Sequence, residues 1–225
     1  MRFIKMSVLS MVLLPLLQTT ASAGVIIGGT RVIFEGTKKE AVININNPDI
    51  ASYLIQSWVD EQEGSSGKTH FIITPPLYRL DAGQKNVERI VMTGSLPQGQ
   101  ESLFWLNIKA IPAASKQMNT LQIAVKTRIK LIYRPEGLVA STPEEQADKL
   151  TWQRAGNDIQ VTNPTPYVIN FNEIAVSGKM LDDVTYVLPR SSARFALPKE
   201  IDGNTLTFKV INDYGSPGAA HRARL

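Results

Sequence analysis

After residue 24 the chain alternates apolar and polar positions in short bursts, and almost nothing repeats at a helical period. Val25-Ile26-Ile27 and Arg31-Val32-Ile33-Phe34 flank Gly28-Gly29-Thr30, and Glu35-Gly36-Thr37 turns the chain. Ala41 to Ile45 alternates and stops at Asn46-Asn47-Pro48. Tyr53 to Val59, Phe71 to Thr74, Val87 to Met92 and Leu103 to Ala110 follow, with a polar loop over Glu61 to Gly67. Short β-branched and aromatic runs, broken by turn residues every ~8–12 positions, predict an all-β sandwich.

One run is different. Asn119 to Pro135, NTLQIAVKTRIKLIYRP, alternates Leu121, Ile123 and Val125 with polar or small residues, then places Lys126, Arg128, Lys130 and Arg134 at even positions while Ile129, Leu131 and Tyr133 stay odd. A strand of that length far exceeds the usual ~5–6 residues and outruns its own sheet. Its apolar row is covered either by the rest of the protein or by something else.

Past Pro135-Glu136-Gly137 the composition shifts. Ser141 to Lys149 is charged and reads as a surface connection. A second series then begins: Leu150 to Gln153, Ile159 to Thr162, Tyr167 to Phe171, Val184 to Leu188, Arg194 to Leu197 and Thr205 to Asn212. These runs predict two sandwiches, 24–137 and 138–225, each near the common domain size of ~100 residues. No repeat links them in sequence.

The first 23 residues stand apart. Arg2 and Lys5, an apolar stretch from Val8 to Leu17, and Ala21-Ser22-Ala23 have the three-part order of a secretory signal. Without them the formal charge falls from +4 to +2, too little to argue for a nucleic-acid partner. The sequence contains no cysteine, so an exported chain of this kind depends on its cores and not on disulfides.

Candidate catalytic groups are few. There are two histidines, His70 and His221, and no thiol. No G-x-S-x-G turn supports a nucleophilic serine, and Gly28-Gly29 lacks the spacing of a phosphate-binding loop. Asp60-Glu61-Gln62-Glu63 and Glu144-Glu145 read as solvated loop charges. Trp58 reads as core, and Phe104-Trp105 puts one ring on each face of its strand. The alternatives at this point are a binding protein, an exported adhesin or structural immunoglobulin-like protein, and a secreted hydrolase using His70 or His221.

The run from Leu96 to Ala113, LPQGQESLFWLNIKAIPA, resembles the signature of the periplasmic chaperones of the chaperone/usher pathway for pili. So do Ile129 to Pro135 at the end of the long strand, Asn163-Pro164-Thr165-Pro166-Tyr167, and Ile211-Asn212-Asp213-Tyr214-Gly215. Gly99 departs from the family's usual Asp, Asn or Ser. The short segment Ala114 to Asn119 and the missing cysteine pair are similar to the short-loop branch of that family. The resemblance implies two immunoglobulin-like sandwiches in a boomerang, residence in the periplasm, no cofactor and no enzymatic activity. It implies pilus or fimbrial subunits as one-to-one partners, an outer-membrane usher as recipient, and self-association as an option for the subunit-free form. It assigns Leu121, Ile123 and Val125 to an open groove in the subunit by donor-strand complementation, a known example of strand addition. It assigns Arg31 and Lys130 to the subunit's terminal carboxylate, and Glu101, Arg134 and Asp213 to an ion-pair network between the domains. Because Lys130 is even and Val125 odd, a twist or bulge between them is expected.

Overall fold

A computed structural model describes residues 24–61, 70–114, 121–199, 201 and 203–225. The signal-like segment 1–23, most of the polar loop after Glu61 and most of the segment from Ala114 to Asn119 lie outside the described residues.

Among the described residues, seventeen strands form four sheets. The first sandwich opposes two sheets. One has the order β1 (Ile26–Ile27), β3 (Glu40–Asn46), β7 (Lys85–Met92), β5 (Phe71–Thr74). The other has the order β2 (Arg31–Glu35), β9 (Val125–Arg134), β8 (Ser102–Pro112), β4 (Tyr53–Asp60), β6 (Leu77–Leu80). Every pairing is antiparallel except β2 with β9. Ile43, Ile45 and Ile90 from one sheet meet Ile55, Leu106, Ile108 and Leu131 from the other. Phe71 packs edge-on against Phe34 and Phe104, with centroids 5.4 and 5.0 Å apart.

The second sandwich opposes β10 (Thr151–Ala155), β11 (Asp158–Asn163) and β15 (Ser191–Ala196) to a sheet of β13 (Lys179–Met180), β12 (Ile169–Val176), β16 (Thr205–Ile211) and β17 (Pro217–Arg224), with β14 (Tyr186–Val187) also on β12. Trp152, Phe171, Phe195 and Phe208 fill its centre. The all-β, two-sandwich reading holds.

Three strands escaped the sequence pattern: β6, β13 and β17. β17 is the instructive one. PGAAHRAR has no apolar row, yet it pairs along β16 because that edge was open and backbone pairing needs no particular side chain. Trp58 corrects an expectation. Ile55, Ser57 and Val59 point into the core, so Trp58 falls on the outer face, where the Lys126 ammonium lies 5.5 Å from its ring centroid. The indole that is buried is Trp152, in the second sandwich. Ser141 to Lys149 is also more than a surface connection: Ala147 is fully buried, and Glu144 accepts a hydrogen bond from the Ala219 amide.

The two sandwiches share a device that no repeat advertised. Each has an Asn-Pro at the end of its second long strand, and each asparagine is fully buried. The Asn47 amide donates to the Ala51 and Asp81 carbonyls, and that of Asn163 to the Tyr167 and Leu188 carbonyls. A buried amide satisfied in this way stitches the crossing chain to its own loop.

Candidate functional site: the open edge of β9 and the cleft beside it

β9 begins at Val125, six residues later than the pattern suggested. Its ladder with β8 starts at the pair Ala110–Val125. Beyond that point β8 reaches Pro112, which has no N–H to donate, and the pairing stops. Leu121 to Ala124 therefore lie ahead of the strand, where Gln122 Nε2 donates to the Ala113 carbonyl at 2.6 Å.

Exposure divides the odd row in two. Leu121, Ile123 and Val125 are 85%, 68% and 58% exposed, whereas Ile129, Leu131 and Tyr133 are buried in the first core. Ile123 and Val125, with Val25, Ile27, Tyr53 and Ile108, border an apolar dent of about 110 Å³ at the mouth of the sandwich. Three large aliphatic side chains exposed in one row make a contiguous apolar feature of the kind that marks an interaction surface.

The backbone edge is open over the same stretch. β2 covers β9 only from Lys130 to Arg134, starting with the pair Arg31–Lys130. Among the described residues nothing pairs with the other edge of Val125 to Ile129. A vacant strand lane thus runs along β9 and is blocked where β2 enters it, at Arg31.

That blocked end is where the cations collect. Arg31 and Lys130 are register partners and share the face turned toward the second sandwich. Lys130 Nζ donates to Asn170 Oδ1 on β12 and sits 4.4 Å from the Tyr186 ring centroid. Burial, and then the charge of Arg31, lower its pKa to about 8. Burial also lowers the pKa of Arg31, partly offset by the charge of Asp213, and the buried Arg31 Nε has no hydrogen-bond partner among the described residues. Two cations drawn out of water and close together form a site whose electrostatics favour an anion.

The β8–β9 register runs unbroken from Ser102–Tyr133 to Ala110–Val125. The bulge expected between Val125 and Lys130 is therefore absent, and the two side chains stay on opposite faces. No rotation is needed, because the vacant lane lies beside the strand and is reachable from either face.

A third group fixes the cleft. Arg134 Nε donates to Glu101 Oε1 at 2.6 Å, while its two terminal nitrogens donate to the Asp213 carboxylate at 2.7 and 2.8 Å. Glu101 Oε2 accepts from the Val168 amide at 2.7 Å, and the Glu101 amide donates to the Pro166 carbonyl at 2.8 Å. Burial pushes the Glu101 carboxyl up and Arg134 pulls it back. For Arg134, burial works against the charge, but the hydrogen bonds to Asp213 and the charge of Glu101 outweigh it and raise its pKa. The Asn163-to-Tyr167 motif now has a physical role, because its Asn163-bound turn presents Pro166 and Val168 to Glu101. Gly215 has another. Its φ of +87° favours glycine, and a Cβ there would collide with Thr30 Oγ1, beside Arg31.

All three residue groups taken from the sequence are thus located. Arg31 and Lys130 adjoin, Glu101, Arg134 and Asp213 are bonded, and Ile123 and Val125 line the mouth of the first sandwich with Leu121 exposed ahead of them. Asn170 and Tyr186 were missed. Both lie in runs read as strands, but nothing in those runs marks them as site residues; they pair with each other between β12 and β14, and both meet Lys130. The two histidines lie elsewhere: His70 pairs with Glu61 at 2.8 Å, and His221 with Asp148 at 2.7 Å. Among the described residues no cluster of three or more metal-ligating side chains occurs.

Fold and site define a class: tandem immunoglobulin-like sandwiches with a strand edge and its apolar row left uncovered beside a cationic cleft. The chain belongs to the pilus-assembly chaperone family. Residues 24–139 match the pili and flagellar-assembly chaperone, PapD N-terminal domain, and residues 145–221 match the pili assembly chaperone PapD, C-terminal domain. It is 43% identical to the probable fimbrial chaperone LpfB of Escherichia coli O157:H7, over 88% of each chain. It is 41% identical to the chaperone protein FimC of Escherichia coli K12, over 87% of this chain and 82% of that one. The SafB chaperone, solved in complex with the Salmonella enterica SafA pilin, superposes with a TM-score of 0.84 at 33% identity, covering 92% of this chain and 99% of that one. This is a family of chaperones and not of enzymes.

Proposed function

We propose that this protein works in the periplasm, where it lends the edge and apolar row of β9 to an incomplete pilus or fimbrial subunit and delivers that subunit to an outer-membrane usher. One observation carries the reading: the vacant lane along Val125 to Ile129 ends at Arg31 and Lys130. A strand entering the lane pairs with the β9 backbone, and its last residue arrives where β2 begins. Its free carboxylate then meets the two cations, which fixes its direction as parallel to β9 and its register to the residue. Leu121, Ile123 and Val125 fill the subunit's groove. Burying three such side chains contributes about 5–9 kcal/mol before the cost of ordering.

The remaining assignments follow from the same reading. Residues 1–23 serve as the export signal. The domain division lies between Gly137 and Leu138, since Tyr133 belongs to the first core and Leu138 packs on the second. Glu101, Arg134 and Asp213 act structurally, holding Asn170 and Tyr186 over Lys130. The protein is not an enzyme and needs no cofactor.

The test is periplasmic co-expression with pilin subunits. Arg31→Ala and Lys130→Ala are expected to fold normally and to yield no stable one-to-one complex. Recovery of wild-type amounts of complex with both variants overturns the anchor.

A further inference from the structure

The outer face of the five-stranded sheet carries a run of cations that neither the apolar row nor the carboxylate anchor uses. Lys126 and Arg128 occupy the even positions of β9 next to the vacant lane, and Lys109 is the direct register partner of Lys126 on β8. Like charges placed opposite one another across a ladder destabilise it. Here aromatic rings of the same face support them: Lys126 Nζ lies 5.5 Å from the Trp58 ring centroid, and the Arg128 guanidinium lies 4.1 Å from that of Trp105. Cations held over rings are attracted by the ring quadrupole, and of these two Lys126 is the exposed one while Arg128 is half-buried. Asp60 is the carboxylate that β4 brings to this face, and it accepts a hydrogen bond from Asn107.

A strand in the vacant lane cannot avoid this strip. Side chains of adjacent strands meet on each face, so every second residue of an incoming strand lies beside Lys126 or Arg128 while its alternate residues turn inward. We infer that Lys126 and Arg128 read the outward-facing side chains of the incoming subunit strand, with Lys109 adding positive charge from the far side of β9, and that this strip selects strands bearing carboxylates at those alternate positions. The inference rests on the lane described above and adds a selection rule to it. The rival explanation is that lysines on an open edge only discourage pairing between copies of this chain.

Two labelled nine-residue peptides separate the possibilities, one alternating Val with Glu and one alternating Val with Lys, both ending in a free carboxylate. Binding to the mature full-length protein is read by fluorescence anisotropy at low and high salt. The acidic peptide is expected to bind about tenfold more tightly, the order produced when two cross-strand charge pairs change from attractive to repulsive. Salt and the double substitution Lys109→Gln/Lys126→Gln should each shrink that ratio several-fold. Both lysines lie away from the Arg31–Lys130 anchor and from both cores, so folding is expected to be unaffected and is checked by thermal unfolding. Equal binding of the two peptides overturns the selection rule and leaves the lane intact. Binding of neither overturns the lane as well. A preference that survives in the double variant, with new self-association in sedimentation, assigns the lysines to guarding the edge and overturns the rule.

Discussion

The two halves of β9 have the same alternation and opposite fates. From Lys130 to Tyr133 the strand is flanked by β8 and β2, and the odd residues from Ile129 onward are sealed in the first core. From Val125 to Ile129 it keeps the β8 partner and lacks β2, and at its start Val125 is left in water. Ahead of it Ile123 and Leu121 continue the exposed row. The difference lies in what stands beside each residue. A period of two says only that a row is apolar; coverage by a second sheet and a neighbouring strand decides whether that row is core or contact surface.

The largest expected effect comes from the buried end. Arg134→Ala strands the Glu101 carboxylate, which is 1% exposed, and should destabilise the protein by about 3–5 kcal/mol. Urea unfolding measures the loss, and small-angle scattering should register a loosened angle between the domains. Next, Leu131→Ala should cost about 2–5 kcal/mol as a cavity in a sealed core. The comparable truncation Val125→Ala should cost less than about 0.5 kcal/mol, as exposed substitutions usually do. Equal losses at the two positions would erase the distinction between the halves.

Lys130 stands at the junction and supplies a pH test. Its pKa is depressed to about 8 by burial and by Arg31, so the protonated form that binds a carboxylate is lost above that value. Carboxylate capture should weaken by about tenfold between about pH 7 and about pH 9, following the fraction protonated. Lys130→Arg should keep binding flat over the same interval, since a guanidinium stays charged. For folding the sign is opposite. A base depressed in the folded state favours folding fully above its unfolded pKa, and that contribution is lost as pH falls from there to about 8. Isothermal titration of a subunit-tail peptide and urea midpoints taken in parallel would resolve the two trends.

The smallest effect on stability should be the most telling. Ile123→Asp, at a residue 68% exposed, should leave the unfolding free energy within about 0.5 kcal/mol of wild type and abolish recovery of the subunit complex. An unfolded Ile123→Asp protein would return that residue to the core and erase the contact surface.

Much of this molecule is legible in its sequence. Alternation and turn residues announce the strands of both sandwiches, because a half-buried strand must alternate and a chain reversal needs Gly, Pro or Asn. The likeness of whole motifs supplied Arg31, Lys130, Glu101, Arg134 and Asp213 as residues to look for. β17 was invisible because backbone pairing along β16 leaves no mark on side-chain pattern. Trp58 was misplaced because composition alone does not tell which parity of a strand faces inward. Asn170 and Tyr186 lie far in sequence from the lysine they enclose, and only the docking of one sandwich on the other brings them to it. Sequence determined the local conformations and the chemical character of each row, since both arise from neighbouring residues. Tertiary structure alone decided that β2 enters the sheet at Arg31 and not earlier, and so left open the edge on which the proposed work depends. Which edge stays vacant is settled by where distant strands end, and that is a property of the assembled sheets and not of any one of them.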